Sequence, residues 1–288
     1  MVATVLAVGA ATGLAAAGAD RGSDRPGSTS TTPTGPALPA PNVAIPSDPA
    51  RVSAALTTTT RELRDALGRW NPANRVPEDV TLLALHHQRI LRRLASRRAL
   101  GAATIARLPR DVRGEARDTV RARRQLDAIP RSPGWLPRVR IGAAARAAKL
   151  RRFYDAAQRR FDVHWSVLAA VNFVESAFGR VRSRSEAGAR GPMQFLPSTW
   201  RIYGMGGDIE YPRDAIMGAA NYLRRSGAPR NYDRALFAYN HSMHYVRAVR
   251  RLAARMRRDE RTFLAYYSWQ VYVRTAKGVR RVTGPGLG

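Results

Sequence analysis

The spacing of apolar and polar residues changes character several times along the chain. From Ala50 to Trp70, from Pro77 to Ser96 and from Asp111 to Ala128, apolar residues recur at helical spacing, which predicts three helices. The second is the clearest, because Leu82, Leu83, Leu85, Ile90, Leu91 and Leu94 make it amphipathic and Pro77 stands where a helix starts. Pro130, Pro133, Gly134 and Pro137 then interrupt the pattern, so a boundary is expected between Ile129 and Pro137. Helical spacing resumes beyond it, with helices expected at Ala143 to Phe161, His164 to Ser176, Pro197 to Tyr203, Pro212 to Arg225, Asn231 to Ser242 and Tyr245 to Arg258. One of these differs from the rest. Val167 to Val174 is apolar on nearly every side, as a helix inside a core must be. After Arg261 the run Ala265 to Val273 is aromatic and β-prone, and Lys277-Gly278 can turn it back into a short hairpin.

A carboxylic acid ends the apolar helix. Glu175 should lose solvation there and face the negative end of the helix dipole, and both effects favour its protonated form. An acid still protonated near neutrality can donate a proton to a leaving oxygen. The plainer alternative is a first polar residue exposed at a helix end. Downstream, Gly188-Ala189-Arg190-Gly191 can bring backbone close to a ligand, and Gln194 adds an amide. Between Asn231 and Ser242, Tyr239 and Asn240 can project a phenol and an amide from one helix, although a lone Tyr is more often a core aromatic.

Three separated motifs, Glu175-Ser176, Gly191-Pro192-Met193-Gln194 and Ala238-Tyr239-Asn240, together resemble the soluble lytic transglycosylase family, whose fold is related to goose-type lysozymes. The resemblance spans Leu150 to Met256, and the wording around the motifs is similar to a secreted actinobacterial branch. It implies a mainly α, lysozyme-like domain that cleaves the β-1,4 bond between N-acetylmuramic acid and N-acetylglucosamine in peptidoglycan. Glu175 would be the acid and then the base, leaving a 1,6-anhydro end. Ser185 would lie near the muramyl group, Met193 and Gln194 would line the cleft, Tyr239 would orient Glu175, and Asn240 would support that arrangement. Two departures stand out: Pro192 replaces the usual Leu, and Ser185 is one residue farther from Glu175 than the common pattern. The resemblance implies no cofactor and no metal. A hydrolase of the same bond would use a second carboxylate across a water, for which Glu186, Asp208, Glu210, Asp214 and Asp233 are the downstream candidates. A silent wall-binding protein is the third reading. Trp269 and its aromatic neighbours either stack on a sugar ring or pack on the core.

Charge and composition add a setting. The 288 residues carry a net charge of +28 from 49 basic and 21 acidic residues, and Lys149 and Lys277 are the only lysines. So much arginine draws polyanions; scattered over many helices rather than gathered into a nucleic-acid module, it does not discriminate among them, and it is the resemblance that implies glycan strands, with anionic wall polymers beside them, as partners. His86-His87 and the pair His241 and His244 lack the ligand-spaced acids or Cys of a metal site, and Cys is absent. Residues 1–19 read as a signal peptide or weak membrane anchor, uncharged and ending Ala17-Gly18-Ala19, which makes the protein secreted or wall-associated. Residues 20–49 read as a disordered Pro/Ser/Thr/Gly linker, 50–129 as a helical accessory region, 140–260 as the catalytic domain and 261–288 as a C-terminal extension.

Overall fold

The structure is a computed structural model that describes residues 37–130, 139–275 and 278–287. The leader at 1–19, much of the linker and most of the Ile129–Pro137 boundary lie outside the described residues.

Eleven helices and one two-stranded sheet follow in order among the described residues: α1 (Pro49–Arg69), α2 (Glu78–Ser96), α3 (Arg98–Arg107), α4 (Arg110–Asp127), α5 (Ala147–Phe161), α6 (Trp165–Ser176), α7 (Pro197–Tyr203), α8 (Pro212–Arg225), α9 (Tyr232–Tyr239), α10 (Met243–Arg258), α11 (Glu260–Ser268), β1 (Tyr272–Thr275) and β2 (Gly278–Arg281). The fold is mainly α and consistent with a lysozyme-like helical domain. None of these helices is long and apolar enough to cross a membrane.

Every residue of α6 is buried, so the helix runs through the middle of the molecule as its apolar sequence requires. It is wrapped by α5, α8, α10 and α11. α10 supplies the link to the N-terminal helices, because it packs against α4 on one side and α6 on the other. One continuous apolar cluster therefore includes Leu63 and Leu67 of α1, Leu83 of α2, Leu126 of α4, Leu168 of α6 and Tyr267 of α11. Residues 50–129 are packed onto the rest rather than hung beside it.

The structure departs from the sequence expectations at four places. α3 was not expected; it carries no capping signal, and its Gly101 sits where any Cβ would strike the Leu94 carbonyl oxygen. α5 begins at Ala147 rather than Ala143, because residues 140–142 are extended and bonded to another segment: the Gly142 amide donates to the Arg180 carbonyl (2.8 Å) and the Arg182 amide to the Arg140 carbonyl (2.9 Å). α9 stops at Tyr239, and α10 starts afresh at Met243 with the Ser242 hydroxyl as its N-cap. Finally, Ala265–Ser268 is helical. Phe263, Tyr266 and Tyr267 have helical spacing and all three are buried, so packing outweighs the β preference of the aromatics.

The hairpin itself is present beyond them, with Tyr272 opposite Arg281 and Thr275 opposite Gly278. It is fixed to the N-terminal helices by a two-way amide clamp. The Gln88 Nε2 donates to the Gln270 carbonyl (2.8 Å), and the Gln270 amide donates to the Gln88 Oε1 (2.9 Å). Trp269, beside the clamp, contacts the rings of Tyr266, Phe173 and His87. Its surroundings are core.

Candidate active site

Helix α6 delivers Glu175 to the site and ends one residue later. Ala177, Phe178 and Gly179 then adopt positive φ (50°, 63° and 83°), which turns the chain back sharply. Left-handed backbone costs roughly 1–2 kcal/mol at each residue with a Cβ, so local bonds must hold it. The Ala177 and Phe178 amides donate to the Phe173 and Asn172 carbonyls, and the Gly179 amide donates to the Ser176 hydroxyl oxygen (2.8 Å).

The returning chain brings Gly191–Gln194 against α6. The carbonyl of Pro192 accepts from the Ser176 hydroxyl (2.5 Å) and from the Asn172 Nδ2 (2.8 Å), two side chains one helical turn apart. Asn172 is fixed in turn by the Tyr154 hydroxyl, which donates to its Oδ1 (2.6 Å). Pro192 lacks an N–H but its carbonyl is the point at which helix and loop are joined. Gly191 has φ +73°, and a Cβ there would overlap the Ile209 carbonyl oxygen, so both conformation and space demand glycine.

Glu175 is completely buried. Burial pushes its pKa from the ordinary 4.5 to about 8, and a hydrogen bond from Tyr245 opposes the rise. The Tyr245 hydroxyl donates to Oε1 at 2.8 Å, while Oε2 is buried without a hydrogen-bond partner among the described residues. The two oxygens are therefore unlike: Oε1 accepts, and Oε2 is where a neutral carboxyl keeps its proton. Tyr239 and Tyr245 lie parallel, with ring centroids 6.4 Å apart, and burial raises both phenol pKa values well above the usual range. Both remain donors at any ordinary pH.

The residues expected at the site have the following places. Tyr239 is fully buried, but its hydroxyl donates to the Met193 carbonyl (2.6 Å) and not to Glu175. The bond to Glu175 belongs to Tyr245, which none of the three sequence motifs contains. Met193 and Gln194 are fully buried and hold the loop rather than presenting a surface. Gln194 has φ +50°, and its Nε2 donates to the Gly191 carbonyl at 3.0 Å. Ser185 closes the Ser185–Ala189 turn: its hydroxyl oxygen accepts from the Ala189 amide (3.0 Å), and its own amide donates to the Ala189 carbonyl (3.0 Å). Asn240 is buried at the junction between α9 and α10.

Among the described residues no second carboxylate bears on Glu175, whose shift has only burial and Tyr245 as causes. Three of the candidates have structural partners. Asp214 Oδ2 accepts from the Asp208 amide (3.0 Å), Asp208 Oδ1 accepts from the Glu210 amide (2.8 Å), and Asp233 pairs with Arg250 (3.4 Å). Glu186 and Glu210 are exposed. The other buried titratable cluster lies elsewhere: His87 is 3.8 Å from Glu115, which pairs with Arg64 at 2.8 Å, and burial holds the His87 imidazole below its ordinary pKa.

Fold and site together define a lysozyme-like helical domain built around one sealed, proton-bearing glutamic acid. The family comparison agrees: residues 152–261, from α5 to the start of α11, match the model of the Transglycosylase SLT domain. The chain is also similar to the membrane-bound lytic murein transglycosylase F 1 of Alkalilimnicola ehrlichii (strain ATCC BAA-1101 / DSM 17681 / MLHE-1), at 28% identity over 155 residues, covering 48% of this chain and 31% of that protein. The chain thus spans about a third of the length of the curated relative it matches. No solved structure matches it.

Proposed function

We propose that this protein is a lytic transglycosylase that cleaves the β-1,4 bond between N-acetylmuramic acid and N-acetylglucosamine in peptidoglycan. The observation that carries the reading is Glu175, fully buried, with its pKa raised by that burial to about 8. Its Oε2 proton passes to the glycosidic oxygen as the C1–O bond breaks. The carboxylate so formed, held through Oε1 by Tyr245, then takes the proton of the sugar's own C6 hydroxyl as that oxygen bonds to C1. The product is a 1,6-anhydro end and no water is consumed. A hydrolase needs a second carboxylate to activate water or attack C1, and of the candidates Asp208, Asp214 and Asp233 have structural partners while Glu186 and Glu210 are exposed.

In this scheme Tyr245, Tyr239 and the Asn172–Ser176 pair are positioning residues. Ser185, Met193, Gln194 and Asn240 remain the substrate-side residues of the reading, with Met193 and Gln194 shaping the loop from within. Export or attachment to the wall through the N-terminal segment belongs to the same proposal.

Digestion of purified peptidoglycan followed by mass measurement tests it. Fragments one water lighter than hydrolytic products are expected from the parent and none from Glu175→Gln. Reducing-end products would assign the hydrolase reading instead, and absence of cleavage by the parent would leave a wall-binding protein.

A further inference from the structure

The chain that returns from Glu175 carries an uncompensated row of arginines. Residues 140–142 lie antiparallel to 180–182, with Ile141 opposite Val181. That register sets Arg140 directly opposite Arg182, and Arg184 follows two residues on, past a bend at Ser183. All three are exposed. Like charges directly opposite each other destabilise a strand pair, yet among the described residues none of the three is in an ion pair. Glu186, on the adjoining turn, is the one acidic residue between positions 180 and 190.

The guanidinium groups of Arg140 and Arg182 are also held in place. The Arg140 Nη2 donates to the Arg182 carbonyl (3.2 Å), and the Arg182 Nη2 donates to the Ala143 carbonyl (2.9 Å). The Arg140 amide donates to the Ser183 hydroxyl oxygen (2.6 Å), and the Val181 amide donates to the Ser176 carbonyl (2.9 Å), so the row is tied both to the Ser183–Ser185 segment and to the end of α6. A fixed fork of donors with charge to spare suits carboxylates, which guanidinium binds through paired, charge-assisted hydrogen bonds.

We propose that Arg140, Arg182 and Arg184 form a ledge that binds the carboxylates of the peptide stems carried by the muramyl residue next to the cleaved bond. The inference rests on the reading of the site as peptidoglycan-cleaving. It adds that the protein distinguishes glycan bearing acidic stems from bare glycan. Stem carboxylates are favoured over phosphate-bearing polymers because the ledge is joined to the end of the helix that carries Glu175, and under the proposed function the stem-bearing sugar is the one cleaved by that acid.

The test uses retention on insoluble cell-wall sacculi, in a Glu175→Gln background so that nothing is digested. Retention should fall about tenfold when the stems are removed enzymatically, and about tenfold again on intact sacculi when Arg140, Arg182 and Arg184 are all changed to Gln, the scale expected for loss of several charge-assisted contacts. Sacculi stripped of phosphate polymers but with stems intact should retain the protein as before. A control with the same charge change elsewhere, Arg121, Arg257 and Arg258 to Gln, should lose less than about threefold because those residues act only through screened long-range attraction. Equal losses for ledge and control variants, indifference to stem removal, or loss on stripping phosphate polymers would each overturn the ledge. If the triple variant unfolds, Arg184→Gln alone, which breaks no backbone bond, should still show a partial loss on stem-bearing sacculi. The retention readout stands apart from product mass, so a failed ledge and a failed catalytic reading are told apart.

Discussion

At the scale of the residue, everything turns on how Glu175 keeps its proton. In the folded protein its pKa is about 8, whereas in the unfolded chain it returns to the ordinary 4.5. Between those values the native state holds a proton that the unfolded state has released, so raising the pH through that window removes stability. Glu175→Gln cannot ionise. Its melting temperature relative to the parent is expected to rise steadily from about pH 5 to about pH 8, by the equivalent of roughly a few kcal/mol. Melts of both proteins across that range check it, and a constant difference would mean that the carboxyl is not perturbed. Activity should decline above about pH 8 as the acid ionises, and Glu175→Gln should cost ~10²–10⁴ in rate if it serves as a general acid. Tyr245→Phe removes the bond that favours ionisation, so the alkaline limb of the pH–rate profile should move upward while kcat falls about tenfold or more through lost orientation. A change in kcat without movement of the limb would separate orientation from proton affinity. Glu175 could be read from the sequence because an acid at the end of an all-apolar helix is a local contradiction. Tyr245 could not, since its partner is 70 positions away and only packing of α10 on α6 reveals it.

At the scale of the element, the site is a joint between one helix and one loop. Ser176 and Asn172 reach from α6 to a single carbonyl, that of Pro192. Ser176→Ala leaves that carbonyl with one donor and the Gly179 amide with none, so a loss of about 1–3 kcal/mol is expected. Thermal denaturation measures it. Activity should fall with it, because the same loop carries Met193, whose carbonyl fixes Tyr239. The helices around the site were legible wherever period and punctuation agreed: α7 and α8 match their expected limits at Pro197, Tyr203, Pro212 and Arg225. Legibility failed where a distant partner decided the backbone. Residues 140–142 are extended because Arg180 and Arg182 bond to them, and Ala265–Ser268 is helical because Phe263, Tyr266 and Tyr267 must all face the core. The burial of Met193 and Gln194 likewise depends on how the loop returns against α6, which motif order does not convey.

At the scale of the molecule, the N-terminal helices and the catalytic segment share one core, from Leu63 in α1 to Tyr267 in α11. They should therefore melt together, with probes placed in α2 and in α8 giving one transition. Trp269→Ala should lower that common transition by about 3 kcal/mol, the lower end for truncating a packed Trp. Retention of glycan binding in the folded variant would agree with the ring's place among Tyr266, Phe173 and His87. The two-way clamp between Gln88 and Gln270 has a consequence in time as well as in space. Its halves are separated by 182 positions, with α3 to α11 between them. Contacts of such long range form late, after the intervening chain has been made and folded. The hairpin and the N-terminal helices are thus expected to be joined only after α6 and the helices around it have packed, which makes the clamp a closing step of folding rather than its nucleus.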